Sequence, residues 1–144
     1  MNVVSATLVQ SASSRLCYTI NPTSILGNAI QKLVDHKIGA LPVVDEDKKL
    51  RGIISERDII RELYRSNFFH NRQVEDIMTK NVITCSLSSR ANDIMEVMTE
   101  NRIRHVPITE GNELIGIVSI GDVVSRLLEK YKNEAEVLRY YINS

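Results

Sequence analysis

The 144 residues contain no tryptophan, two cysteines, three prolines and six glycines, and aromatic residues make up only 5%. So few aromatics, with basic residues scattered among acidic ones, exclude a stacking platform for nucleic acid. Cys17 and Cys85 lie in apolar, strand-like contexts at unmatched repeat positions. They read as small buried hydrophobes in a reducing compartment and not as a disulfide framework. His36, His70 and His105 show no metal-ligand spacing with them, so no metal is expected. The 18 basic and 18 acidic side chains cancel, leaving no global field to attract nucleic acid or an anionic membrane. No apolar run approaches the roughly 18 residues of a membrane span. No Arg or Lys precedes Arg15, which argues against a cleavable leader although Met1 to Ser14 is Ser-rich and the first acidic residue is Asp35. The expected location is the cytoplasm, with the mitochondrial matrix as the alternative.

What the chain does contain, it contains twice. Leu50-Arg51-Gly52-Ile53-Ile54-Ser55-Glu56-Arg57-Asp58 returns as Leu114-Ile115-Gly116-Ile117-Val118-Ser119-Ile120-Gly121-Asp122. Upstream, Thr19-Ile20 aligns with Thr84-Cys85, and Ile38-Gly39-Ala40-Leu41-Pro42 with Ile103-Arg104-His105-Val106-Pro107. Two such units, neither able to bury its apolar face alone, are expected to pack about a pseudo-twofold axis with a cleft between them. One domain's worth of chain suffices if they share a core.

Each unit reads strand, helix, strand, strand, helix, an α/β (α+β) architecture packed through its sheets. In the first, Cys17 to Asn21 is a short strand, Ser24 caps a helix, and Ala40 to Val44 and Leu50 to Ser55 form a hairpin around Asp45–Lys49. Asp58 to Tyr64 is the closing helix. The expected division is an arm or helix over 1–16, a unit over 17–65, a linker over 66–81 whose first part, through Gln73, is polar except for Phe68 and Phe69, a second unit over 82–128, and a helical extension over 129–144. The last helix, from Asp122 to about Tyr141, carries Val124, Leu128, Tyr131, Ala135, Leu138 and Ile142 in the narrow stripe of a coiled-coil seam. Its expected partner is the same helix of a second subunit, with the N-terminal arm as the alternative.

The Ser-x-x-Asp turns have two readings. A Ser at the N-cap with Asp three residues on is a capping box, which satisfies orphan N–H groups and places a carboxylate at the positive helix end. The same carboxylate can accept hydrogen bonds from a ribose diol, while the hydroxyl and the helix start offer donors to a phosphate. The strands Ile38 to Pro42 and Ile103 to Pro107 would then face a flat base, the prolines leaving backbone groups unpaired for it.

The doubled pattern of Ile-x-x-hydrophobic-Pro and Gly-h-h-Ser-x-x-Asp, joined through Val74-Glu75-Asp76-Ile77-Met78-Thr79-Lys80, resembles a tandem pair of CBS (cystathionine beta-synthase) domains, the Bateman module, over Cys17 to Leu128. The resemblance is to the small stand-alone members with no attached enzyme, transporter or channel. It implies adenosine ligands such as AMP, ADP, ATP, NAD or S-adenosylmethionine in the cleft, a homodimer, and a regulatory, energy-sensing role for an unidentified partner protein. Carried over by motif, the first site is Thr19, Ile38, Gly39, Ala40, Leu41, Pro42, Ser55, Glu56, Arg57 and Asp58. The second is Thr84, Ile103, Arg104, His105, Val106, Pro107, Ser119, Ile120, Gly121 and Asp122. The second is expected to hold phosphate better, with Arg104 and His105 beside the Ser119 helix start and Gly121 allowing close backbone approach. A charged His105 on the phosphate would make AMP binding weaken as pH rises.

Two other classes compete with this reading. A ligand-free dimerisation scaffold would use the same turns as caps only. An enzyme is not expected: no nucleophile is paired with a base, and there is no close carboxylate pair, metal cluster or Walker-type loop.

Overall fold

The two copies fold alike. The computed structural model describes residues 8–66 and 71–143. Phe68, Phe69 and His70 lie outside the described residues, as do Met1 to Thr7 of the N-terminal segment. The elements are α1 (Leu8–Ser13), α2 (Leu26–His36), β1 (Ala40–Val44), β2 (Leu50–Ser55), α3 (Glu56–Arg65), α4 (Val74–Ile77), α5 (Ala91–Asn101), β3 (His105–Glu110), β4 (Glu113–Ser119) and α6 (Ile120–Asn143). Both hairpins are antiparallel, with Pro42 opposite Ile53 and Pro107 opposite Ile117. Among the described residues no helix is long and apolar enough to cross a membrane.

The expected first strand of each unit shrinks to one parallel bridge, Ile20 to Val43 and Cys85 to Ile108. The chain turns at once after each bridge, through Asn21 and through Ser86–Ser89. These bridges use the proline carbonyls: Ile20 N–H donates to Pro42 O at 3.1 Å and Cys85 N–H to Pro107 O at 2.9 Å. Those carbonyls are therefore already engaged within their own units. Ser24 is not the cap of α2. Ile25 holds that position with no side-chain bond, Asn21 Oδ1 accepts from Thr23 N–H in a preceding turn, and Arg72 O accepts from Leu26 N–H at 2.7 Å. The closing helices begin at Glu56 and Ile120, earlier than expected, because Ser55 and Ser119 are the caps and put each Asp on the third helical residue.

The buried apolar side chains form two clusters instead of one shared core. One joins Leu26, Leu33, Leu41, Val43 and Ile54 with Val74, Ile77 and Met78 around it; the other joins Ile94, Met98, Val106, Ile108, Val118 and Val123 with Leu8, Val9 and Ala12. Each unit is thus closed by the segment that precedes the other unit: α4 covers the first, α1 the second. Gly52 and Gly116 make this crossing possible. A Cβ on Gly52 would sit 2.6 Å from Met78 Sδ and 2.8 Å from Thr79 O, and one on Gly116 2.9 Å from Ser13 Cα. The first approach carries a reciprocal pair of bonds, Ile53 N–H to Thr79 O at 3.0 Å and Thr79 N–H to Ile53 O at 2.8 Å.

The hairpins also exchange bonds across the pseudo-twofold axis. Leu50 N–H donates to Asn112 O at 2.9 Å and Leu114 N–H to Lys48 O at 3.2 Å, flanking a Lys49–Glu113 bridge. The Asp45–Lys49 turn is therefore an inter-unit joint as well as a surface loop. On α6, α1 covers the face of Val123 and Leu127, while Leu128, Tyr131, Leu138 and Ile142 stay more than half exposed.

Candidate functional site: two unequal clefts

Both Ser-x-x-Asp turns form the reciprocal cap. Ser55 N–H donates to Asp58 Oδ2 at 2.9 Å and Asp58 N–H to Ser55 Oγ at 3.3 Å; Ser119 N–H donates to Asp122 Oδ2 at 2.9 Å and Asp122 N–H to Ser119 Oγ at 3.1 Å. Each carboxylate therefore spends Oδ2 on its own helix. Neither offers two free oxygens to a diol, as the sequence reading supposed. What meets Oδ1 distinguishes the clefts.

At Asp58, which is only 7% exposed, Thr79 Oγ1 donates to Oδ1 at 3.2 Å, and Arg61 lies 3.9 Å away. A cavity of about 420 Å³ opens beside this pair, lined also by Gly39, Ala40, Ile53, Glu56, Arg57, Ile60 and the 102–105 segment of the other unit. That volume falls in the range of small-ligand sites. Four arginines (Arg57, Arg61, Arg102 and Arg104) face two acidic residues there. Arg57 spans the units, its Nη1 donating to Arg102 O at 3.1 Å. Arg102 ends α5 in the left-handed region, φ 53°, as Lys37 ends α2 at φ 54°, so matching caps turn both chains into the clefts.

At Asp122 the free oxygen is already taken. Arg15 donates through Nη1 to Oδ1 and through Nη2 to Oδ2, both at 2.9 Å. Burial alone would raise the Asp122 carboxyl, but the Arg15 and Ser119 hydrogen bonds outweigh it and hold the group below its ordinary value. The adjoining cavity is smaller, about 310 Å³, and is lined by Cys17, Tyr18, Lys37, Ile38, Gly39, Ala40, His105 and Ile117 besides Arg15, Ser119 and Asp122.

The clefts do not divide along the repeat alignment. The strand entry of one unit faces the helix start of the other, so Arg104 and Ile103 line the Asp58 cleft, and Ile38 lines the Asp122 cleft. His105, Gly39 and Ala40 border both. Burial pushes the His105 imidazole below its ordinary value, with Arg104 adding to this and Glu56 and Asp122 opposing it. The expected cationic histidine is therefore a neutral one near pH 7. Leu41, Pro42, Val106 and Pro107 are buried in the cores and line neither cleft. Thr19 lines a separate depression with Asn21, Lys32 and Asp35, and Thr84 another with Leu50 and Lys80. Ile120 and Gly121 are exposed and line neither cleft; a Cβ on Gly121 meets only Ser119 Oγ, at 3.6 Å, so no close approach requires glycine there.

Thr79 and Arg15 were missed. The repeat that revealed Gly52 and Gly116 continues upstream, where buried Val9 and Ala12 correspond to Val74 and Ile77. That signal lay in the segments read as arm and linker. Burial raises both thiols, Cys85 to about 11, which leaves them protonated and unreactive.

Two copies of one α/β unit, each with a capping-box carboxylate at an inter-unit cleft, define a tandem-repeat architecture. The CBS domain model matches residues 12–65 and 74–129. The chain belongs to the CBS-domain family, as a tandem pair. It is 38% identical over 120 residues to the mitochondrial CBS domain-containing protein CBSX3 of Arabidopsis thaliana, covering 80% of this chain and 58% of that protein's length. Its structure matches the CBS-domain protein ATU1752 of Agrobacterium tumefaciens with TM-score 0.75 and 39% identity, over 81% of this chain and 88% of that one. It also matches the CBS domain pair of MJ0100, solved with 5-methylthioadenosine and S-adenosyl-L-methionine, with TM-score 0.76 and 32% identity, over 88% of this chain and 99% of that one.

Proposed function

We propose that the chain is a non-catalytic regulatory module that binds an anionic adenosine nucleotide (AMP, ADP, ATP or NAD) in the Asp58 cleft. The observation that carries this is the Asp58 Oδ1 and Thr79 Oγ1 pair, 3.2 Å apart beside a cavity rich in arginine. One ribose hydroxyl donates to Oδ1 and its neighbour meets the Thr79 hydroxyl, which both donates and accepts. Ile53 and Ile60 flank the base, and Arg102 and Arg104 sit where phosphate charge would be neutralised. The solved MJ0100 pair supports an adenosine-type ligand. The surplus of arginine here favours phosphate over a sulfonium cation.

Occupancy of the cleft, which both units line, changes how they meet, and a partner protein reads the change as an energy or redox signal. The exposed α6 stripe is the proposed homodimer contact, and the cytoplasm the proposed compartment. A thermal-shift and calorimetry panel with AMP, ADP, ATP, NAD, methylthioadenosine and S-adenosylmethionine tests the reading. Ligand at about 100 times its dissociation constant adds about 2.7 kcal/mol. Tighter binding of S-adenosylmethionine than of AMP overturns the anionic preference.

A second reading has its own support. Both capping boxes are complete without ligand, and α6 leaves Leu128, Tyr131, Leu138 and Ile142 uncovered. This is the pattern of a dimerisation scaffold, and no shift from any adenosine compound would favour it.

A further inference from the structure

We infer that Arg15 is an intramolecular latch on the Asp122 cleft, so that the module offers one open nucleotide site and one that opens only when Arg15 leaves. This rests on the reading that the capping-box carboxylates receive the ribose. The guanidinium holds both oxygens of Asp122 at 2.9 Å in the fork geometry that carboxylates bind most strongly. The position it takes is the one a diol would need, because Oδ2 is already committed to Ser119 N–H. At the corresponding place in the other half stands Lys80, which lines a depression with Leu50 and Arg51 and not the Asp58 cleft. Asp58 instead meets the neutral Thr79 hydroxyl at 3.2 Å, and its cation, Arg61 of the same helix, stands off at 3.9 Å in place of the 2.9 Å fork that Arg15 makes on Asp122.

Arg15 can move without unfolding the unit it closes. Its side chain is 53% exposed, whereas the anchoring Leu8, Val9 and Ala12 are buried in the second core, and Gly116 holds the end of α1 against β4. The apparent affinity of the Asp122 cleft is therefore its intrinsic affinity reduced by the fraction of time that Arg15 is away. One ligand then fills the two clefts over two concentration ranges.

Calorimetry with AMP on the full chain and on Arg15→Ala tests the latch. The expected result is one tight event per chain for the parent, with its second event far weaker, and two tight events for the variant, with Arg15→Lys giving an intermediate second event. The second event must persist in Arg15→Ala/Asp58→Asn and vanish in Arg15→Ala/Asp122→Asn. Melting by circular dichroism checks folding, and Arg15→Gln replaces the alanine variant if that one does not fold. One site in both parent and variant overturns the latch and leaves the proposed function standing, as do two equal sites in the parent. A site in the variant alone supports the latch and overturns the Asp58 assignment. Binding by neither overturns both.

Discussion

The Asp58 and Asp122 clefts come from one duplicated motif and have diverged through the segments that flank it. Each has Ser-x-x-Asp on a helix start and a borrowed neighbour closing it. At Asp58 the neighbour contributes a hydroxyl; at Asp122 it contributes a guanidinium. The motif supplies the carboxylate, and the crossing segment decides what the carboxylate is free to bind.

The strongest way to break the comparison is to loosen one crossing at a time. Gly52→Ala drives a methyl into Met78 and Thr79, and Gly116→Ala into Ser13. Each should cost about 1–3 kcal/mol in denaturant unfolding. Their effects on AMP binding in the Asp58 cleft should differ: Gly52→Ala displaces Thr79 and weakens it, while Gly116→Ala disturbs only the segment that carries Arg15 and leaves it unchanged.

Next in size is the carboxylate itself. Asp58→Ala removes charge-assisted bonds of about 1.5–3 kcal/mol, so AMP affinity measured by calorimetry should fall about ten- to a hundredfold. Asp122→Ala should leave that affinity unchanged and lower stability by about 1–2 kcal/mol, since it loses a partly exposed ion pair, a helix-end charge and the capping bond from Ser119 N–H. Equal losses of AMP affinity in the two variants would mean the clefts are equivalent.

A smaller effect sharpens the approach to the Asp122 cleft. Lys37 lines that cleft and holds φ 54° at the end of α2. Lys37→Gly should raise stability by about 0.5–1 kcal/mol, because glycine takes that conformation without strain. Thermal melts check this.

The smallest effect is on pH. His105, between the clefts, has its folded value depressed by burial, so the unfolded chain binds more protons on the acid side of about pH 6.5. Its contribution is fully present above that pH and is lost as pH falls toward the folded value. Asp122, also depressed, follows the same sign further into acid. Denaturant midpoints should therefore fall below about pH 6.5, less so in His105→Gln, while AMP affinity stays flat from pH 7 to 8. Affinity that weakens over that upper range would show a charged histidine in the complex.

Much of the fold was readable in the chain. Apolar alternation and turn residues placed both hairpins, and helical spacing placed α2, α5 and α6, because these patterns are local. The caps of the two closing helices were readable too, since Ser and Asp three residues apart meet through one helical turn, whereas Ser24, with no such partner, is not the cap of α2. The cleft pairings were not readable. Arg104 and Ser119 lie in one unit along the chain, yet the units cross and Arg104 lines the Asp58 cleft. Thr19 and Thr84 occupy equivalent repeat positions, and nothing in their spacing shows that the chain carries them to other depressions.

The amino-acid order alone determined the duplication, the caps and the two carboxylates, because each depends on residues that are neighbours along the chain or repeat at fixed intervals. Only the tertiary structure decided that α1 and α4 close opposite units, that Thr79 and Arg15 reach different carboxylates, and that His105 is neutral between them. Those outcomes depend on packing between distant segments, where burial and a few ångströms of approach determine which groups meet.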